Sequence, residues 1–162
     1  MEEQITKAKF LDTLRTERAR WDALLAQIEE ARMIQPSVAG EWSVKDIIAH
    51  MTWGEREMVG VLQAHALVGS DLWDLPQDDC NAAVFVENRD RSLQDVLTEA
   101  PQMFAQLLAA VQALSEEDLA DPRRFRDMPT EWVPWQIIAG NSYEHYRQHT
   151  PSIRAWLDKP DA

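Results

Sequence analysis

His145 and His149 are the residues of this chain best placed to do chemistry. Four positions apart on a helix, they lie one turn above each other on the same face, near enough for both imidazoles to hold one ion. Trp135, Ile138, Ser142, His145, His149, Ser152 and Trp156 follow the alternating three-and-four spacing of a bundle seam, so both histidines are expected to face inward. A third, His50, follows Ile47 by three residues and precedes Trp53 by three, beside the apolar stripe of Ile47, Met51, Gly54, Met58 and Val61. Bundle cores build metal sites from side chains on facing helices, and three neutral imidazoles suit zinc, nickel or iron(II). The competing reading is a set of hydrogen-bonded core histidines, since pairs four apart arise often by chance; a third histidine from a separate helix favours the metal. His65 lies fifteen residues beyond His50, roughly 22 Å along a helix axis, and cannot join the site.

Other chemistries find little support. The run His145-Tyr-Arg-Gln-His149 lacks the glutamate of the zinc-protease signature. There is no glycine-rich phosphate loop, no Ser-His-Asp order and no Cys-His nucleophile. Cys80 follows two aspartates, which should raise its pKa, and reads as a small residue packed in a helix. Glu57, seven residues after His50 on the same helix face, is a candidate acid, base or ligand-orienting group; the alternative is a solvated or ion-paired residue at the bundle end. Trp53 and Asn141 are candidate substrate-binding residues, although core packing also accounts for a tryptophan at 53.

These side chains need helices to position them, and the sequence supplies a helical pattern. Only five glycines are present and the apolar residues recur at three and four, so the fold class is all-α. The first helix is expected over about 3–33, with Ile5, Ala8, Leu11, Leu14, Trp21, Leu24, Leu25 and Ile28 inward and Arg15, Arg18 and Arg20 outward. The second starts at Ser43, with Asp46 closing an acidic capping box, and runs to about Val68, where Gly69 and Ser70 stop it. A loop and a short helix near 81–87 follow, then a helix capped by Ser92 that reaches about Leu114 and bends at Pro101. Ser115 caps a single turn. After a loop, Pro134 opens a last helix to about Leu157, with a kink expected at Pro151 just after His149.

Composition bounds the rest. A chain of 162 residues with 45% hydrophobic content fits one domain, 1–162. No apolar run approaches the roughly 20 residues needed to span a bilayer, and the N-terminus lacks a signal-type apolar stretch. The single cysteine excludes an internal disulfide and thiolate-rich metal sites, and a cytoplasmic location fits best. A net charge of -12 argues against nucleic acid as a partner, and no membrane partner is expected. The expected partner is a small-molecule substrate.

The segments Gly40-Glu-Trp-Ser-Val-Lys-Asp-Ile-Ile-Ala-His50 and Asn141-Ser-Tyr-Glu-His-Tyr-Arg-Gln-His149 together resemble the DinB/YfiT-like superfamily of four-helix bundles, over nearly the whole chain. The stretch 81–119 is similar to the ClbS/DfsB-related branch. The resemblance implies an up-down-down-up bundle with short extra helices between the second and third main helices. It also implies a divalent ion, nickel or zinc foremost, held by His50, His145 and His149 with water completing its shell. Characterised members include S-transferases dependent on a low-molecular-weight thiol, whereas ClbS-like members open a reactive cyclopropane. The expected function is therefore a metal-dependent thiol S-transferase or hydrolase acting on small electrophiles in stress or detoxification. The alternative is a non-catalytic bundle whose metal is structural. Family members are often dimers, and Trp73 and Trp156 are candidate interface residues, so a homodimer is expected.

Overall fold

Side chains of Thr6, Ser43, Ser92 and Ser115 cap helix starts. The computed structural model describes residues 5–159. Helix α1 spans Lys7–Leu25, with the Thr6 hydroxyl accepting from the Lys9 amide. Helix α2 spans Val44–Ala64 behind a complete capping box, in which Ser43 and Asp46 satisfy each other's backbone amides. Helices α3 (Gln77–Asn88) and α4 (Leu93–Gln112) follow, then a short α5 (Glu116–Ala120) with its own Ser115–Asp118 box. The last two are α6 (Pro134–Gly140) and α7 (Tyr143–Leu157). Among the described residues there is no strand, only two isolated bridges. No helix there is long and apolar enough to cross a membrane.

Long side chains reveal how the helices run. Lys7, at the start of α1, donates to the carbonyls of Gln112 and Leu114 at the end of α4, so those two are antiparallel. Lys45, at the start of α2, donates to Arg89 and Arg91 just before α4 begins, so α2 and α4 run the same way. Phe10 meets Tyr143, Glu17 meets Arg147 and Arg32 covers Trp156, which makes α1 and α7 parallel. The result is an up-down-down-up bundle of α1, α2, α4 and α7. The parallel α2–α4 pair requires a long crossover, supplied by a 3-10 turn at Asp71–Asp74 and by α3. Its core draws Phe10 and Leu14 from α1, Ile47 from α2, Leu107 from α4 and Ile153 from α7, all sealed from solvent. Each such side chain contributes about 1.5–3 kcal/mol by leaving water.

Several boundaries differ from the sequence pattern. Helix α1 ends at Leu25, and Ile28 reaches the core through a turn before a 3-10 helix at Glu30–Arg32; the expected start near residue 3 lies outside the described residues. Arg18, expected on the outer face, is 6% exposed. Helix α2 stops at His65 in the left-handed conformation, φ 47° and ψ 47°, well before Gly69. The expected last helix is two helices. Its interruption falls at Asn141 and Ser142, while α7 continues unbroken through Pro151. Trp156 is buried, so of the two expected interface tryptophans only Trp73 is open to solvent.

Candidate metal centre

The capping box at Ser43 fixes where α2 begins, and His50 follows two turns later on the face turned to α7. The Trp42 ring, just outside the cap, meets the His50 ring edge-on with centroids 5.1 Å apart and stacks on Phe85 of α3 at 5.8 Å. The second half of the site is set by the α6–α7 break. Ser142 is fully buried, and its hydroxyl donates to the Ile138 carbonyl at 2.6 Å. The Asn141 amide donates to the Ile137 carbonyl at 3.0 Å. Opposite the break stands Gly54, where an added Cβ would lie 3.4 Å from the Asn141 side-chain oxygen. That close approach brings α2 and α7 together one turn from the histidines.

His50, His145 and His149 converge. Their ring centroids lie 4.9 Å (His50–His145), 6.0 Å (His50–His149) and 4.8 Å (His145–His149) apart. One ring nitrogen from each falls within 4.8 Å of the others. The Nε2 atoms of His145 and His149 are 3.1 Å apart. Two nitrogens bound to one ion at 2.0–2.1 Å, at tetrahedral to octahedral angles, stand about 2.9–3.4 Å apart, so that spacing suits a shared ion.

Electrostatics points the same way. Burial, with the neighbouring His149, pushes His50 down to about 4. Burial, with His50 and His149, pushes His145 down to about 3, and burial lowers His149 as well. All three are thus neutral near pH 7, the state in which imidazole offers a lone pair. The Nδ1 atoms of His50 and His145 are buried without a hydrogen-bond partner. The Nε2 atoms of His145 and His149 face each other and are the pair that could grip an ion, while the Nδ1 atom of His145, on the other side of its ring, is a separate buried group without a protein partner. The donor set is nitrogen only, suited to zinc or nickel.

The three rings form one wall of a cavity of about 390 Å³, which Trp53 and Asn141 also line. Glu57 is placed elsewhere. Its carboxylate accepts from the Ser70 amide and from the Trp73 indole N–H at 3.0 Å, and it lines a neighbouring cavity of about 650 Å³. Its seven-residue spacing from His50 put it on the right face, but the crossover between α2 and α3 takes up its oxygen. Cys80 is buried and belongs to the wall of the histidine cavity, with burial and nearby Glu57 pushing its thiol up.

Behind α7 lies a group the sequence pattern hid. Glu55, 1% exposed, accepts from the Tyr146 hydroxyl and faces the Arg18 guanidinium at 3.4 Å. Arg18 also donates to the Tyr146 oxygen at 3.0 Å, and Trp21 stacks on the Tyr146 ring at 5.6 Å. Tyr146 adjoins His145, so this network anchors the helix that carries two of the three histidines to both α1 and α2.

The fold and site define a four-helix bundle with a three-histidine cluster between its second and last main helices. The model of the DinB superfamily matches residues 13–152, and the chain belongs to that superfamily. No curated protein matches it in sequence. Solved structures share the fold at low identity. DfsB, described as a sibling lethal factor precursor, superposes with a TM-score of 0.79 at 17% identity, covering 96% of each chain. The colibactin self-resistance protein ClbS, solved in complex with double-stranded DNA, gives 0.77 at 13% identity, covering 96% of this chain and 98% of its own. An uncharacterised protein from Escherichia coli UTI89 gives 0.77 at 15% identity, covering 96% of this chain and 94% of its own.

The ClbS complex corrects one expectation. Net charge of -12 does not exclude nucleic acid, because a bundle of this fold holds DNA. A DNA contact depends on the local surface offered to the phosphates, which a whole-chain sum does not describe.

Proposed function

We propose that this chain is a divalent-metal-dependent enzyme of the thiol S-transferase or hydrolase type, acting on small electrophiles in a stress or detoxification role. The observation that carries this reading is the position of the histidines: a convergent, uncharged triad forms the wall of a cavity rather than a sealed core, with His145 and His149 only half-buried. A nickel or zinc ion bound there would lower the pKa of a coordinated thiol or water and supply a nucleophile near neutral pH. His50, His145 and His149 would hold it. Trp53 and Asn141 would contact and orient the substrate, and the Arg18–Glu55–Tyr146 network would keep α7 in register.

The test is elemental analysis of protein expressed with nickel and zinc supplied, followed by thiol-consumption assays with generic electrophiles. Near-stoichiometric metal, lost in His149→Ala together with the activity, is the expected result. Absence of metal from the intact protein refutes the reading. Metal present, with no turnover and a large fall in thermal stability on its removal, assigns the ion a structural role, because such an ion contributes folding free energy directly. Double-stranded DNA belongs in the same panel of ligands, given the complex formed by ClbS.

A further inference from the structure

The walls of the histidine cavity carry no formal charge. Besides the triad they present the indoles of Trp42, Trp53 and Trp73 and the side-chain amides of Asn81, Asn141 and Gln148; among the described residues no Asp, Glu, Lys or Arg lines it. Three indoles give flat, polarisable surfaces, and the Trp53 and Trp73 rings lie 4.8 Å apart between centroids. Amides supply both donors and acceptors, which suits a neutral carbonyl or amide on the ligand. A carboxylate or phosphate entering the cavity would leave water without meeting a cation to replace it. Arg18, the buried guanidinium behind α7, is engaged by Glu55 and Tyr146.

The neighbouring cavity is no more hospitable to anions. Trp73 and Asn141 also line the adjoining cavity of about 650 Å³, whose charged lining residues are Glu57, Asp71, Asp74 and Glu131, all acidic. A ligand long enough to extend from one cavity into the other moves from neutral walls to negative ones. The chain as a whole, at -12, adds a field of the same sign.

We infer that the histidine cavity selects a planar, uncharged small molecule bearing an amide or carbonyl group and rejects carboxylates and phosphates. Resting on the metal-site reading, this names the substrate class of that site: among the described residues no cationic side chain lines the cavity, so positive charge there would come from the ion. The remainder of the substrate, and any thiol that serves it, is uncharged or cationic rather than polyacidic.

The pair para-fluorobenzamide and para-fluorobenzoate, equal in shape and different in charge, tests this on the full chain by fluorine NMR titration. Titrating the metal-free protein separates cavity chemistry from the ion, so failure of the metal reading leaves this result intact, and the reverse holds as well. The benzamide is expected to bind at least tenfold more tightly than the benzoate. Asn81→Lys, which adds a cation to the wall, is expected to raise benzoate affinity at least tenfold. Benzoate binding as well as benzamide, neither probe saturating, or a folded Asn81→Lys protein with unchanged preference each overturns the inference.

Discussion

Replacing Glu55 with glutamine tests whether the buried network behind α7 holds a proton. The Glu55 carboxyl is 1% exposed; burial pushes its pKa up to about 7 from an ordinary 4.5, with Arg18 and the Tyr146 hydroxyl only partly opposing the rise. Because the folded value lies above the unfolded one, the folded chain retains a proton that the unfolded chain has released between about pH 4.5 and 7. Stability from this group therefore falls as pH rises through that window. At 1.36 kcal/mol per unit, the fall reaches about 3 kcal/mol at its top. His50 and His145 titrate with the opposite sign. Their folded values of about 4 and about 3 lie below the ordinary 6.5, so the metal-free protein gains stability as pH rises toward 6.5. The wild-type curve mixes both trends, and the difference between proteins isolates Glu55. Glutamine keeps an oxygen for Tyr146 and Arg18 but cannot ionise. In urea denaturation with chelator present, Glu55→Gln is expected to gain about 3 kcal/mol on the wild type between about pH 4.5 and 7.5. Parallel curves, within about 0.5 kcal/mol across that range, would mean that Glu55 stays ionised against Arg18, and the reasoning fails.

Two further substitutions test the supports of the site. Ser43→Ala removes the hydroxyl that accepts from the Asp46 amide at 3.1 Å, and is expected to cost about 1 kcal/mol in urea denaturation. Hydrogen exchange should quicken in the first turn of α2 while His50, two turns on, stays protected. Lys45→Met leaves the carbonyls of Arg89 and Arg91 without donors now at 2.8 and 2.7 Å from a nearly buried ammonium. A loss of about 2–4 kcal/mol is expected, since two charge-assisted hydrogen bonds to part-buried carbonyls are removed. A loss below about 0.5 kcal/mol would show that water replaces the ammonium.

What the sequence revealed was local. The start of α2 is legible because Ser43 and Asp46 satisfy each other within one turn. Its end is not, because the stop depends on a distant strand-like pairing: the His65 carbonyl accepts from Arg126 at 2.9 Å, and the Leu67 amide donates to Arg126 at 2.7 Å. The His65 ring also stacks on Phe125 at 5.3 Å. Those contacts hold a non-glycine residue in the left-handed region, which no nearby glycine could signal. Pro151 misled in the other direction. It removes the donor to the Arg147 carbonyl, but Arg147 and Pro151 both lie on an exposed face where water can serve that carbonyl, and α7 continues through the proline. The real break falls at Asn141–Ser142, where side chains take over the carbonyls of Ile137 and Ile138. Arg18 illustrates a different failure. Leu11, Leu14, Arg18 and Trp21 follow the three-and-four spacing of the buried stripe, and Arg18 obeys that spacing despite its charge.

The same division runs through the site itself. His145 and His149 could be matched by spacing, because one helix fixes their common face, whereas His50 is joined to them chiefly by the resemblance of its segment to the superfamily pattern. The cavity beside them could not, because Trp73, Asn81 and Cys80 arrive on the crossover between α2 and α4. That crossover is placed by long-range contacts: Glu57 holds Ser70 and Trp73, Lys45 holds Arg89 and Arg91, and Phe85 stacks on Trp42. Of the two readings the sequence leaves open for Glu57, its hydrogen bonds to Ser70 and Trp73 favour the partnered one, in which it fastens the crossover. The bundle helices thus carry the three histidines that could hold an ion, and the crossover at 71–88 carries Trp73, Cys80 and Asn81 of the cavity wall. Substitutions on α2 and α7 should change metal binding, while substitutions in the crossover should change which molecule is taken and leave the metal in place.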